Sequence, residues 1–202
     1  MNQTTETTAR VLPGRTADEW LLLDVDTADP TYVERPDLDG DLDSGDDADR
    51  NGPGLDHGNR IEATLEWDDG EPRLASWTVL ESTRFRFRRT DAPVFQAAQH
   101  CFEEARRAGE AMNARVIHDT DGRPNGVVYT FADQPGQRDL YAEFRDGEKP
   151  LEPLLERAAE STEPPFSVWV LDVNEPFVLV TIVLDPDGLL EEKMRETYRD
   201  AR

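Results

Sequence analysis

The stretch RIEATLEWDDGEPRLASWTVLESTRFRFRR, Arg60 to Arg89, decides how the chain is read. Ile61, Ala63, Leu65 and Trp67 alternate with Glu62, Thr64 and Glu66, and a period of two places four apolar side chains on one face of a strand. Asp68, Asp69 and Gly70 supply a tight turn, with Gly70 suited to positive φ. The return strand carries Ala75, Trp77 and Val79 on one face and Leu74 and Leu80 on the other. A third strand sets Thr83, Phe85 and Phe87 opposite Arg84, Arg86 and Arg88. The expectation is a three-stranded meander with one buried aromatic face.

Toward the N-terminus, Val11 and Leu12, then Trp20 to Val25, then Tyr32 and Val33 add short strands. Between these and the meander, Pro36 to Asn59 holds eight aspartates, five glycines, two prolines and no aromatic residue. Such a segment cannot bury enough apolar surface to offset its ordering entropy, so a disordered acidic loop is expected over 36–59. Asp37, Asp39, Asp41 and Asp43 alternate as calcium ligands do. The EF-hand pattern nevertheless fails, because Ser44 stands where the sixth-position glycine belongs and no glutamate falls at the twelfth.

Beyond Thr90 the elements become mixed. Asp91 and Pro93 open a helix, with Val94, Ala98, Cys101, Phe102, Ala105 and Met112 as its apolar stripe. Arg115 to His118 and Gly126 to Phe131 read as a hairpin, Leu140 to Phe144 as a strand, and Pro150 to Glu160 as a short helix. Phe166 to Val173 and Phe177 to Leu184 form the most apolar hairpin. Its second strand is apolar on both faces except at Thr181, which places it at the centre of a sheet covered on both sides. A last helix after Asp185 and Pro186 turns Leu189, Leu190, Met194 and Tyr198 inward and leaves Glu191, Glu192 and Glu196 in solvent. The fold class expected is α+β: an OB-like all-β barrel over 1–90 that carries the acidic loop, then an α+β domain of helix–hairpin units over 91–202.

The formal charge is −22, from 44 acidic and 22 basic residues, and Lys149 and Lys193 are the only lysines. Acids exceed bases in both halves, which distinguishes the chain from proteins that concentrate charge in an acidic tail. A carboxylate-covered surface keeps a chain soluble but opposes its folding until salt screens the repulsion. The single Cys101 precludes an internal disulfide and points to a reducing, cytoplasmic setting. The N-terminus lacks the charged start and apolar core of a secretory signal, and no apolar run is long enough to cross a bilayer. This composition, together with GNRIEATLEWDDGEPRLASWTV (Gly58 to Val79), resembles a haloarchaeal protein family of uncharacterised activity. The resemblance implies no activity and transfers no functional residue.

Arg84, Arg86, Arg88 and Arg89 are the sharpest candidate site, four positive charges in six residues of an acidic chain. Backed by Phe85 and Phe87, they suit single-stranded nucleic acid on an OB-like surface. Ion pairing with Glu62, Glu66 and Glu81 on neighbouring strands is the favoured account, and the net charge disfavours a phosphate-binding footprint. His118, at the end of an apolar strand, is the candidate base of an enzyme whose site lies where the two halves join. Cys101 beside His100 is not a nucleophile and base pair, because adjacent helical residues diverge by about 100°. No metal-ligand spacing, phosphate loop or nucleophile elbow is present. The reading is a non-enzymatic binding or interaction module without cofactor or metal, for which a protein partner is possible and a membrane is not expected.

Overall fold

Asp69 and Gly70 both take positive φ, 50° and 88°, and close the two-residue hairpin turn that their sequence requires. The computed structural model describes residues 3–35, 54–136 and 138–198. The chain divides into two units, Met1–Ser82 and Thr83–Arg202.

Unit 1 contains β1 (Gln3–Pro13), β2 (Glu19–Asp24), β3 (Pro30–Glu34), β4 (Arg60–Asp68) and β5 (Glu71–Glu81). They form one antiparallel sheet in the order β3-β2-β1-β4-β5. The outer strands β3 and β5 approach one another but are not hydrogen-bonded partners, so the sheet is not a closed barrel. Ala9, Val11, Trp20, Leu22, Val33, Ile61, Ala63 and Leu65 bury one face, as the alternation over β4 requires. On β5 the alternation breaks. A register shift between Thr64 and Leu65 pairs Ala63 with Trp77 and Leu65 with Leu74. This bulge brings Leu74 and Trp77 to the same face, correcting their expected opposition, and both pack partly buried against the core. Trp77 meets Trp20 edge-on at 6.4 Å.

Of the acidic loop expected over 36–59, residues 36–53 lie outside the described residues. Residues 54–59 are coil and turn packed against the sheet. Leu55 is buried in the core, the Gly58 N–H donates to the Val11 carbonyl at 2.7 Å, and the Val11 N–H donates to Asn59 at 2.9 Å. Nearby, buried Arg10 donates to the Gly58 carbonyl at 2.9 Å and to Glu81 at 3.0 Å.

Unit 2 holds β6 (Arg84–Thr90), α1 (Gln96–Ala108), β7 (Met112–His118), β8 (Pro124–Ala132), α2 (Leu140–Arg145), α3 (Glu152–Ala159), β9 (Ser167–Val173), β10 (Phe177–Val183) and α4 (Leu189–Thr197). Its sheet runs β6-β9-β10-β8-β7, and only the β6–β9 pairing is parallel. The whole is an α+β fold. β10 is central and all seven of its residues are buried, as its two-faced apolarity implies. On one face Trp169, Leu171, Leu179 and Val183 pack with Cys101 of α1 and Met194 of α4. On the other, Phe87 meets Tyr141 of α2 at 6.3 Å, and Phe131 meets Phe144 at 5.2 Å.

Four further expectations are corrected. The third meander strand leaves the meander: β6 pairs with β9 and not with β5. Leu140 to Phe144 is helical, because the Asp139 carboxylate accepts the Ala142 N–H at 3.1 Å and caps α2. α1 starts at Gln96, beyond Asp91 and Pro93, and Gly109 in the left-handed region ends it, so Met112 falls on β7. Finally, Glu191 is buried, 1% exposed, whereas Leu189 is 63% exposed.

Candidate functional site

Two arginines of this strand, Arg86 and Arg89, meet carboxylates of their own unit. The alternation of β6 sends Arg84, Arg86 and Arg88 to the α1/α4 face, and Phe85, Phe87 and Arg89 to the α2 face. Arg86 lies 5.2 Å over the Trp169 ring, and its Nε is 3.4 Å from Glu191 Oε1, an ion-pair contact without hydrogen-bond geometry. Burial holds its guanidinium below the usual pKa, against the raising pull of Glu191. Arg88 donates to the Phe87 carbonyl at 2.9 Å, and Arg84 is exposed. Arg89 pairs with Asp172 and, at 2.5 Å, with Asp139, and lies 4.5 Å over the Tyr141 ring. The carboxylates that meet Arg86 and Arg89 are thus Glu191, Asp139 and Asp172, from their own unit; within unit 1, Glu81 takes Arg10.

Glu191 is the buried anion of this region. Its carboxylate accepts from Trp169 Nε1 at 2.9 Å and from Arg195 Nε at 2.8 Å, with Arg86 as its third neighbour. It lies in the first turn of α4, where a negative charge is favoured. Arg86 and the Trp169 indole N–H therefore fasten α4 to β6 and β9, while Arg195 pairs with Glu191 within the helix. With Glu191 buried, this arrangement holds structure together.

An open cleft lies on the opposite face of the sheet. It has a volume of about 720 Å³ and runs between the ends of β7 and β8 and the segment from α2 to the start of α3. Met112, Phe131, Leu140, Phe144 and Leu154 supply an apolar wall, and Gln134, Arg138, Glu143 and Lys149 supply the polar groups. Beside it, a smaller hollow of about 360 Å³ is lined by Arg89, Asp133, Asp139 and Asp172 and shares Gln134, Arg138 and Leu140 with the cleft. Arg89 holds the Asp139 carboxyl below its ordinary pKa. Burial, with Asp172 and Asp139 close by, pushes the Asp133 carboxyl up.

The chain belongs to DUF6663, a family of unknown function. The match covers residues 1–202, so the cleft and the arginine strand both fall within the family's extent. No curated protein matches the chain.

His118 lines neither the cleft nor the hollow. It is exposed at the far end of β7 from Met112, six residues and about 20 Å along the strand. Cys101 is buried, accepts the Thr130 hydroxyl at 3.6 Å, and has its thiol pKa pushed up by burial, which suits a core side chain and not a nucleophile. Among the described residues no cluster of three or more His, Cys, Asp or Glu side chains could hold a metal ion, and no helix is long and apolar enough to cross a membrane. Of the sequence candidates, Arg89 alone borders the hollow. The cleft residues were missed because they come from separate elements, the ends of β7 and β8 and the segment from α2 to α3. The one local signal was Lys149, a rare lysine in an arginine-dominated chain.

Proposed function

We infer that this DUF6663 protein is a non-enzymatic binding module whose unit 2 cleft receives a small, largely apolar molecule. The observation that carries this reading is the cleft itself: about 720 Å³, walled by Met112, Phe131, Leu140, Phe144 and Leu154, with a few polar groups at its margin. Binding sites for small molecules characteristically combine such a volume with an apolar lining and sparse polar contacts. No histidine or cysteine is among its lining residues, so acid–base or nucleophilic work at this place would fall to carboxylates and Lys149. Nucleic-acid binding draws no support from β6, because Arg86 and Arg89 already face Glu191, Asp139 and Asp172.

Two finer features belong to the same reading. Unit 1 is OB-like, supported by five antiparallel strands whose outer members approach without pairing, as in a partly open five-stranded barrel. The protein is halophilic and cytoplasmic, supported by 44 acidic residues, two lysines and a single cysteine.

Titration with Nile red, a neutral apolar dye, tests the cleft. Saturable binding with blue-shifted emission is expected, and Leu154→Trp, which fills the cleft, should abolish it while leaving the circular dichroism spectrum unchanged. Absence of saturable binding, or binding that Leu154→Trp leaves intact, would overturn the reading.

A further inference from the structure

The charge at the cleft wall opposes that of the chain. Among the lining residues Arg138 and Lys149 are cationic and Glu143 is the sole carboxylate, on a protein whose formal charge is −22. Lys149 is held in an unusual way for an acidic protein. Its Nζ lies 4.8 Å from the centroid of the Phe131 ring and 5.4 Å from that of Phe144. Among the described residues it forms no ion pair with any carboxylate. Ring faces attract an ammonium without using up its three N–H donors, so its capacity to bind an anion is retained. Beside it, Arg138 gives one nitrogen to Glu148 at 2.9 Å, and a guanidinium has five N–H donors in all.

Phe131 and Phe144 are themselves cleft residues. The same two rings therefore form part of the apolar wall and support the cation at its rim. We propose that the cleft takes an anionic amphiphile, with its hydrocarbon body against Met112, Leu140 and Leu154 and a carboxylate head at Lys149. An acyl carboxylate has this chemistry; a neutral apolar molecule fills the same wall but leaves the ammonium unmatched. The proposal rests on the reading of the cleft as an apolar binding site and adds the head-group class to it.

The test uses the full chain with bound Nile red, displaced in parallel by octanoate and by 1-octanol at fixed ionic strength. Wild type should bind octanoate about tenfold more tightly than octanol, the scale of one charge-assisted contact partly open to water. Lys149→Met keeps the stem and removes the charge. It should erase the octanoate preference while octanol still displaces the dye and the circular dichroism spectrum keeps its native form. Lys149→Arg should retain the preference, which separates loss of charge from loss of fold. If both ligands displace the dye equally from wild type, or Lys149→Met preserves the preference, the head-group assignment is overturned and the apolar cleft stands. If Nile red does not bind at all, both fall together.

Discussion

Replacing Glu191 with alanine should damage unit 2 severely, and the structure allows the loss to be sized. The Glu191 side chain is 2% exposed and receives Trp169 Nε1, Arg195 Nε and the Arg86 guanidinium. Removing it leaves the Trp169 N–H buried without an acceptor, which costs about 1–3 kcal/mol. It also leaves Arg86, whose side chain is 24% exposed, as a cation stripped of its anion. Arg195 is 51% exposed and rehydrates at little cost. Breaking a buried pair from one side typically costs about 3–5 kcal/mol, and that is the loss expected. For a unit of this size each kcal/mol moves the midpoint by about 4 °C. Glu191→Gln keeps an acceptor for the indole and loses only the charge, so it should fall between wild type and alanine. Arg86→Met combined with Glu191→Leu removes both charges, and should recover much of the loss. The assay is urea unfolding followed by tryptophan fluorescence and circular dichroism. A loss below about 1 kcal/mol for Glu191→Ala, or a double variant no better than the single, would refute the reasoning.

Asp133 offers a pH test with a definite sign. Its folded pKa is raised, chiefly by burial and then by Asp172 and Asp139, so ionisation disfavours the folded state at neutral pH. Asp133→Asn should therefore stabilise the protein at pH 7, with the gain fading as pH falls through the raised folded pKa and gone below the unfolded carboxyl value of about 3.9; a loss at pH 7, or a gain that grows on acidification, would contradict this. Salt should stabilise the whole chain. Raising potassium chloride from about 0.1 M to 1 M shortens the screening length from about 10 Å to 3 Å and relieves repulsion among the 44 acidic residues, so the midpoint should climb across that range, and a flat or falling melt series would count against a halophilic protein.

What the sequence made legible was what depends on near neighbours. The Asp69-Gly70 turn follows from two adjacent residues, and the central place of β10 follows from a run, Phe177 to Val183, apolar on both faces except at Thr181. The partner of β6 was hidden, because an Arg-Phe alternation describes a half-buried strand without saying which strand lies beside it. Glu191 was misread for a related reason. Spacings of three and four put it on the same stripe as Met194 and Tyr198, but a carboxylate is placed in water by default. The cations that justify its burial include Arg86, far away in sequence. Leu140 to Arg145 is too short for periodicity to separate helix from strand, and the Asp139 cap decided it. The cleft had no linear signature beyond the lysine at its rim.

The parallel pairing of β6 with β9 bears on how the chain is made. In unit 1 every strand finds its partner within the first 82 residues, so that sheet can assemble while the remainder is still being synthesised. Unit 2 begins with a strand whose neighbour does not yet exist: the Phe166 N–H donates to the Thr83 hydroxyl across 83 residues of sequence. Until β9 leaves the ribosome, Phe85 and Phe87 have no sheet to join, and the charges flanking them keep that waiting segment in solution. A strand of alternating arginine and phenylalanine is apolar enough to seat late and charged enough to remain soluble meanwhile.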